Sequence, residues 1–430
     1  MFKKYKNTLI FIVASIIVFC IMFFSKINSD FIWNFGYSYN TALGNLMYKD
    51  FNMVISPLYP ALTGLLMHIL GNNLISFTLI STFYVMVIIY IIYKINPKIY
   101  LFSIPFILIS CLANYNTLCI LLVILLIYLE KNKKNDYLIG FVIGLSFLTK
   151  INVGLLLIIP SLYYFKNFKK IFKRAIGFII PNLLVIIIFL LLNNLKNYIS
   201  YVFLGIIDFA SNNFQFSWFI LIIPLILIIL IILFIKEKDI SYLYALFFIG
   251  LIYPVMNEMH IIIAIIPSII LIMNKFDNYI YKLRYAAFLF IIIPIIGLFI
   301  DNNNIEYGHD NKLFKYRPIQ TEYLNNKNNL NNYFNGYFND VCFLLYDNYL
   351  YKFLLDLPIN KYDVILYGNL GYKGTKKMIN YIKSLEKDHY FVLDSQINGA
   401  QYNKEIINYV QQNMDIHAIV GNFYIFKKKN

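Results

Sequence analysis

Apolar runs fill the first 300 residues of the chain and are separated only by short polar breaks. The sequence is 60% hydrophobic and 14% charged, whereas soluble globular proteins contain about 25% charged residues. A protein core cannot bury so many apolar side chains in 430 residues, so lipid must solvate part of the surface. The pattern therefore predicts a polytopic α-helical membrane domain over residues 1–300, followed by a polar segment of residues 301–430.

About eleven transmembrane helices are predicted within residues 1–300. The first follows the basic stretch MFKKYKN and runs from Thr8 to about Ser25; because no small-residue cleavage site follows, it is interpreted as a retained helix. The other predicted spans are residues 75–93, 99–113, 115–129, 137–149, 151–165, 176–195, 218–235, 240–256, 259–273 and 285–300. Several are shorter than the roughly 20 residues of an ordinary span, so we expect them to pack beside one another or to thin the bilayer.

The basic residues predict the orientation of these helices. Of the 22 Lys and Arg within residues 1–300, eighteen fall in loops on the side of the N-terminus. Basic loops stay in the cytoplasm, so the pattern predicts a cell (inner) membrane protein with a cytoplasmic N-terminus and an extracytoplasmic C-terminal segment. Because these basic loops account for the net charge of +15 as a signal of membrane orientation, nucleic acid is not expected as a partner.

The polar segment of residues 301–430 is predicted to form a small extracytoplasmic α/β domain. Strands are expected at 341–347, 362–368 and 389–395, helices at 374–387 and 404–414, and a hairpin at 417–428 that turns at Gly421-Asn422. No Gly-rich phosphate loop follows these strands. The four cysteines of the chain lack metal-ligand spacing, so neither a metal site nor a disulfide framework is predicted.

Two carboxylates stand in the loop of residues 26–74, the longest loop on the predicted outer side. Asp30 directly follows the first span, and Asp50 lies about twenty residues further on. The two could meet over one site, where one acts as general base on a hydroxyl and either could hold a divalent cation such as Mg or Mn. They can equally be solvated loop acids. Surface helices are expected in this loop, because several of its aromatic residues suit the membrane interface: Trp33, Phe35, Tyr37, Tyr39, Tyr48, Phe51 and Tyr59.

Two short turns between predicted spans carry further candidate residues. The motif FLTKINVG places Lys150 and Asn152 at the outer junction of two short spans. A lysine at the end of a helix hairpin, beside amide and hydroxyl donors, can bind a phosphate group. The alternative is a lysine that extends to water and marks a helix end. Asn116, in a second outer turn, is a candidate sugar-binding residue, although Asn is also common in ordinary turns.

A third outer turn, MNEMHIIIAIIPSI, places Glu258 and His260 before a span that contains Pro267. His260 could donate a hydrogen bond to a phosphate, and Glu258 could position the histidine or a metal ion. The alternative is an interfacial histidine beside a solvated glutamate.

These motifs together resemble those of the GT-C membrane glycosyltransferases, which use polyprenyl-phosphate-linked sugars. The resemblance is greatest to the branch of protein mannosyltransferases and lipid A aminoarabinose transferases. It includes the small-residue stretch 42–45, the Tyr-Lys-Asp-Phe stretch 48–51 and the Pro-rich turn 57–60, which contains Tyr59 as a candidate substrate-binding residue. The FLTKINVG turn and the His-containing turn before a Pro-bearing helix are also similar to family motifs.

The resemblance implies a role for each candidate residue. In that family an acid after the first span is the catalytic base, and Asp30 occupies this place. The family often has two adjacent acids, whereas Phe31 follows Asp30 here, so the base could be Asp30 or Asp50. Lys150 and His260 would bind the donor phosphate. The expected substrate-binding residues are Asn152, Asn116, Glu258 and Tyr59.

The implied activity is that of an inverting glycosyltransferase. It would move a sugar from a polyprenyl-phosphate donor to an extracytoplasmic lipid, glycan or protein by direct displacement. A divalent cation could assist, but no residue pattern requires one. The alternatives are a transporter or flippase of a polyprenyl-linked or anionic substrate, and a non-enzymatic membrane scaffold. Transporters usually carry charges inside their spans and show internal repeats, whereas the outer charges here lie at helix ends and no repeat is found.

Overall fold

The computed structural model describes residues 2–100, 102–104, 107, 114–282, 305–306, 318–395 and 402–429. Helices dominate up to residue 282, and helices and strands are mixed from residue 318 onwards. The helices are α1 (Phe2–Phe24), α2 (Ser29–Ala42), α3 (Leu58–Leu70), α4 (Leu74–Ile95), α5 (Tyr115–Lys131), α6 (Asp136–Thr149), α7 (Ile151–Ile158), α8 (Phe168–Leu191), α9 (Leu195–Tyr198), α10 (Gly205–Asn212), α11 (Ile222–Glu237), α12 (Ser241–Phe248), α13 (Glu258–Lys275), α14 (Asp277–Lys282), α15 (Thr321–Tyr333), α16 (Asn348–Leu354), α17 (Gly374–Ser384) and α18 (Lys404–Asn413). The strands are β1 (Gln215–Phe216), β2 (Val255–Met256), β3 (Ile305–Glu306), β4 (Ile319–Gln320), β5 (Val341–Leu344), β6 (Tyr390–Asp394), β7 (Met414–Val420) and β8 (Phe423–Lys428).

Several helices of the first part are suited to a membrane. Four are long and apolar enough to cross one, namely Leu74–Ile95, Phe168–Leu191, Trp218–Glu237 and Glu258–Lys275. A fifth span results if α1 and α2 are counted together, although an angle of 102° separates them. Shorter apolar helices at 58–70, 136–149, 151–164 and 241–252 accompany them. Predicted spans 99–113 and 285–300 lie mostly or wholly outside the described residues, so the total of about eleven stays a prediction.

Helix α8 begins at Phe168, eight residues before the predicted start of its span at residue 176. The Asn167 side chain caps it by accepting a hydrogen bond from the backbone N–H of Lys170. Within the first turns Arg174 is 2% exposed, and it forms ion pairs with Glu130 at 2.6 Å and Asp136 at 2.9 Å. The predicted span began only after this basic stretch, which was counted among the loops on the side of the N-terminus; the ion pairs make a buried arginine tolerable in the helix.

Ion pairs also connect several of the polar loops between helices. Lys98 pairs with Asp277 and Lys131 with Asp239, and Lys275 pairs with Glu237. The loops joined in this way are among those that the charge pattern assigned to the side of the N-terminus. Their proximity is therefore consistent with the predicted grouping of the basic loops.

The C-terminal segment contains a four-stranded sheet in the order β5-β6-β8-β7. Strands β5 and β6 are parallel, whereas β8 is antiparallel to both β6 and β7. The β7–β8 hairpin turns at Gly421-Asn422 as predicted, and Gly421 has a φ of +56° that favours glycine. Helices α17 and α18 also lie at the predicted positions.

The predicted strand at residues 362–368 is wrong. This stretch forms turns, and only Leu366 makes an isolated bridge, with Tyr402. Val364 bonds instead with the side chain of Asn52, donating to its Oδ1 and accepting from its Nδ2. Apolar alternation suggested a strand here, but the backbone groups are satisfied by a distant side chain in the first part of the chain.

The expected interfacial position of the aromatic residues in loop 26–74 is also wrong for most of them. Six of the seven are buried, because they pack inside the protein: Trp33, Phe35, Tyr37, Tyr48, Phe51 and Tyr59. Tyr39 is partly buried. Contacts with the C-terminal segment explain part of this burial, since the ring of Phe35 meets that of Phe353 and the ring of Tyr37 meets that of Tyr349.

Candidate functional site

Helix α2 presents one face to a cavity of about 540 Å³. The helix begins after a sharp break that follows α1, where the Asn28 side chain accepts a hydrogen bond from the N–H of Phe31 at 2.8 Å. Asp30 lies in its first turn, and Trp33, Asn34 and Tyr37 follow at spacings of three, four and seven residues. This spacing puts all four on the same helix face, and all four line the cavity.

The carboxylate of Asp30 has no hydrogen-bond donor and no ion-pair partner among the described residues. Burial raises the pKa of Asp30, and the positive charge of Lys150 partly opposes this effect. A carboxylate with unoccupied oxygens at the wall of a cavity can accept a proton from a hydroxyl placed there.

Lys150 lies between α6 and α7 and lines the same cavity. The two helices pack closely because Gly154 approaches Phe147, where an added Cβ would lie 2.2 Å from the Phe147 Cα. The Lys150 Nζ donates a hydrogen bond to the Leu251 carbonyl oxygen at 3.0 Å and lies 5.6 Å from the centre of the Tyr115 ring. An ammonium group has further donors after this bond, so it can still bind an anion.

His260 lies in the first turn of α13, and Asn257 fixes its position. The Asn257 Oδ1 accepts a hydrogen bond from the His260 backbone N–H at 3.0 Å and contacts the His260 Nδ1 at 2.8 Å. With Nδ1 bonded in this way, Nε2 is the ring nitrogen left for a ligand. Asn152 also lines the cavity, and its Nδ2 donates to the carbonyl oxygens of Gly250 and Tyr253.

Four of the predicted site residues do not line this cavity. Asp50 is exposed, and its carboxylate accepts a hydrogen bond from the Leu46 N–H at 2.7 Å; Asp50 therefore does not share this cavity with Asp30, and of the two alternatives the solvated loop acid fits Asp50. Glu258 is exposed and accepts from the Ser217 hydroxyl at 2.5 Å. Asn116 and Tyr59 are buried elsewhere, Tyr59 with its ring centre 6.1 Å from that of Tyr84.

Residues that the sequence analysis did not select complete the cavity. Trp33, Asn34 and Tyr37 could have been found from their helical spacing to Asp30, but the aromatic rings of Trp33 and Tyr37 suggested the membrane interface. The selected residue Asn116 does not line the cavity, whereas its neighbour Tyr115 does. Asn369 comes from the C-terminal segment, and no local pattern identifies it.

Among the described residues, no group of three His, Cys, Asp or Glu side chains could hold a metal ion. Asp30 and Asp50, which suggested a divalent cation in the sequence, do not share a cavity.

Comparison with known proteins identifies the fold. No protein-family model and no curated protein matches the sequence. Among solved structures, the chain is similar to ArnT from Cupriavidus metallidurans bound to undecaprenyl phosphate, with a TM-score of 0.61 and 10% identity over 98% of each chain. It is less similar to the Archaeoglobus fulgidus oligosaccharyltransferase in complex with Zn and sulfate, with a TM-score of 0.46 and 9% identity over 96% of this chain and 72% of that chain. The likeness to ArnT shows that the chain shares the fold of that protein, and the resemblance to lipid A aminoarabinose transferases predicted such a fold.

Proposed function

We propose that this protein is an inverting glycosyltransferase that moves a sugar from a polyprenyl-phosphate donor to an extracytoplasmic hydroxyl acceptor. The observation that carries the proposal is one cavity lined by an unpaired carboxylate, Asp30, and two groups suited to a phosphate, Lys150 and His260. The ArnT structure of the same fold holds undecaprenyl phosphate, which supports a lipid phosphate as the donor.

In the proposed reaction the Asp30 carboxylate takes the proton of the acceptor hydroxyl. The acceptor oxygen then attacks the anomeric carbon, and the bond from that carbon to the phosphate oxygen breaks with its electron pair leaving on the phosphate. Lys150 stabilises the negative charge of the departing lipid phosphate, in the cavity that His260 also lines. Attack and departure on opposite faces of the sugar invert the anomeric configuration.

The arrangement of the cavity favours an enzyme over a transporter or scaffold. A scaffold has no use for an unpaired acid and a lysine in a cavity, and burial of such groups is costly unless a ligand uses them. In the described residues, the buried charges of Arg174 and Glu130 pair with each other, and Arg174 also pairs with the partly exposed Asp136, which suits a structural role better than a substrate path.

The test is the substitution Asp30→Asn with Asp50→Asn as matched control. We expect Asp30→Asn to reduce sugar transfer at least about 100-fold, because general-base catalysis contributes about 10²–10⁴-fold. Asp50→Asn should retain transfer, since Asp50 accepts a bond from the nearby Leu46 backbone and does not line the cavity. Transfer is measured as the change in glycolipids and surface glycans of cells that express each variant at equal membrane level.

Full transfer by Asp30→Asn would exclude Asp30 as the base. Loss of transfer only in Asp50→Asn would assign the role to Asp50. Unchanged glycolipids and glycans with the wild-type protein present or absent would contradict the proposed activity itself.

A further inference from the structure

Asn369 of the C-terminal segment is held in the cavity wall by residues of the first part of the chain. It is 2% exposed and lines the cavity. Its Oδ1 accepts two hydrogen bonds, from the Tyr37 hydroxyl at 2.9 Å and from the Val54 N–H at 3.0 Å. Its main-chain oxygen accepts a third, from the Asn52 Nδ2 at 3.0 Å. These bonds fix both the backbone and the plane of the amide.

The loop that carries Asn369 also packs directly on α10, which forms another wall of the cavity. A Cβ on Gly368 would lie 2.5 Å from the Phe209 Cβ, and a Cβ on Gly205 would lie 2.9 Å from the Gly368 oxygen. Gly368 has a φ of +80°, which side chains other than glycine rarely adopt. The backbone of Tyr372 adds a hydrogen bond to the Ser200 oxygen at 3.1 Å. The loop is thus part of the cavity and not a separate surface element.

With Oδ1 occupied, Nδ2 is the atom of Asn369 that remains for a ligand. No described residue accepts a hydrogen bond from this group. The other cavity amides differ: Asn34 donates to the main-chain oxygen of Asp30 and accepts from the Tyr115 N–H, and the Nδ2 of Asn152 already donates to two carbonyl oxygens. An amide donor without a protein partner at the wall of a cavity can donate a hydrogen bond to a ligand in that cavity.

We propose that Asn369 is a substrate-binding residue whose Nδ2 donates a hydrogen bond to a hydroxyl oxygen of a carbohydrate in the cavity. This inference rests on the proposed function. A neutral amide donor suits a hydroxyl, while the cationic Lys150 suits the phosphate. The hydroxyl can belong to the transferred sugar or to the acceptor. Tyr37 holds Asn369 and lies about two turns from Asp30 on the same helix face, so the bonded hydroxyl and the proposed base share one cavity.

The experiment uses the full-length protein with Asn369→Asp and Asn369→Ala. The Asp variant keeps an oxygen for Tyr37 and Val54 but removes the amide donor, and the Ala variant removes both. Asn403→Ala is the matched control: Asn403 is a buried asparagine of the same segment that caps α18 and bonds to Thr375, and it does not line the cavity. The probes are undecaprenyl phosphate, bare or carrying one hexose or pentose, and the readouts are binding affinity and sugar transfer in cells.

If the transferred sugar supplies the hydroxyl, both Asn369 variants should bind the glycosylated lipid at least about 10-fold more weakly and the bare lipid as the wild type does. If the acceptor supplies it, binding of both lipids should stay unchanged while transfer falls at least about 10-fold. Wild-type binding and transfer in both variants would overturn the inference, as would equal losses for the two lipids or a loss shared with Asn403→Ala. A wild-type protein that neither binds these lipids nor transfers a sugar would instead refute the proposed function.

Discussion

The chemistry of a carboxylate depends on the groups around it, as the partly buried Asp394 of strand β6 illustrates. Its Oδ2 accepts hydrogen bonds from the Tyr346 N–H at 2.8 Å and the Tyr402 hydroxyl at 3.0 Å. Burial nevertheless raises the pKa of Asp394 to about 6, and the negative charge of Asp347 adds to the effect. Asp30 has no such donors, so its oxygens remain available for a substrate.

The raised pKa of Asp394 predicts that acidification stabilises the C-terminal segment. The unfolded chain releases this proton with a pKa of about 3.9, whereas the folded chain retains it until about pH 6. Between these values protonation favours folding, so the contribution to stability falls as the pH rises from 4 to 6. We expect Asp394→Asn to flatten this part of the pH profile of thermal unfolding, measured on the full-length protein in detergent. Asp415→Asn, at an exposed position of β7, should leave the profile unchanged; an equally steep profile for Asp394→Asn would contradict the assignment.

Helices α6 and α8 meet through glycines that allow their backbones to touch. A Cβ on Gly140 would lie 2.0 Å from the Arg174 oxygen, and a Cβ on Gly177 would lie 2.1 Å from the Tyr137 oxygen. Small residues at such contacts let membrane helices approach closely, where van der Waals packing holds them together. The same contact places Arg174 next to Asp136, so the glycines and the buried ion pair stabilise one junction.

Substitution Gly177→Val should therefore separate α6 from α8. The valine side chain would overlap the Tyr137 carbonyl, and overpacking of this kind costs about 1–3 kcal/mol or more. We expect a lower thermal unfolding temperature and a smaller monodisperse fraction in detergent. Ala175→Val, on the exposed side of the same helix, is the matched control and should behave as the wild type. Equal behaviour of the two variants would show that the glycine contact is not required.

The elements that the sequence predicted well are those with a strong local signal. Helices α4, α5 and α13 lie close to the predicted apolar runs, because apolar length is itself the requirement for such a helix. The start of α8 was missed, because the partners of Arg174 come from other helices. Asn369 could not be predicted either, since its role depends on Tyr37, more than 300 residues away in the sequence. Asp30 could be selected because it combines a position after the first helix with a resemblance to a known family.

Hydrogen bonds join the first part of the chain to the C-terminal segment. The Trp33 Nε1 donates to the Tyr346 oxygen at 3.1 Å, and Asn52 bonds with both Val364 and Asn369. The C-terminal segment therefore completes the cavity that α2 begins, which explains why the loop of residues 26–74 is buried. If the cavity faces the extracytoplasmic side, as the basic loops predict, the C-terminal segment must lie on that side too.

This orientation can be tested with single cysteines in a chain whose native cysteines are replaced by serine. The native Cys342 is a poor reporter, because burial raises the pKa of its thiol to about 12 and so disfavours the reactive thiolate. Asp415→Cys places a thiol on the exposed strand β7, and Lys134→Cys places one in the exposed loop between α5 and α6. A membrane-impermeant maleimide should label residue 415 in intact cells or spheroplasts, and residue 134 only after the membrane is permeabilised. The reverse pattern would place the cavity on the cytoplasmic side, where the acceptor would have to be an intracellular molecule.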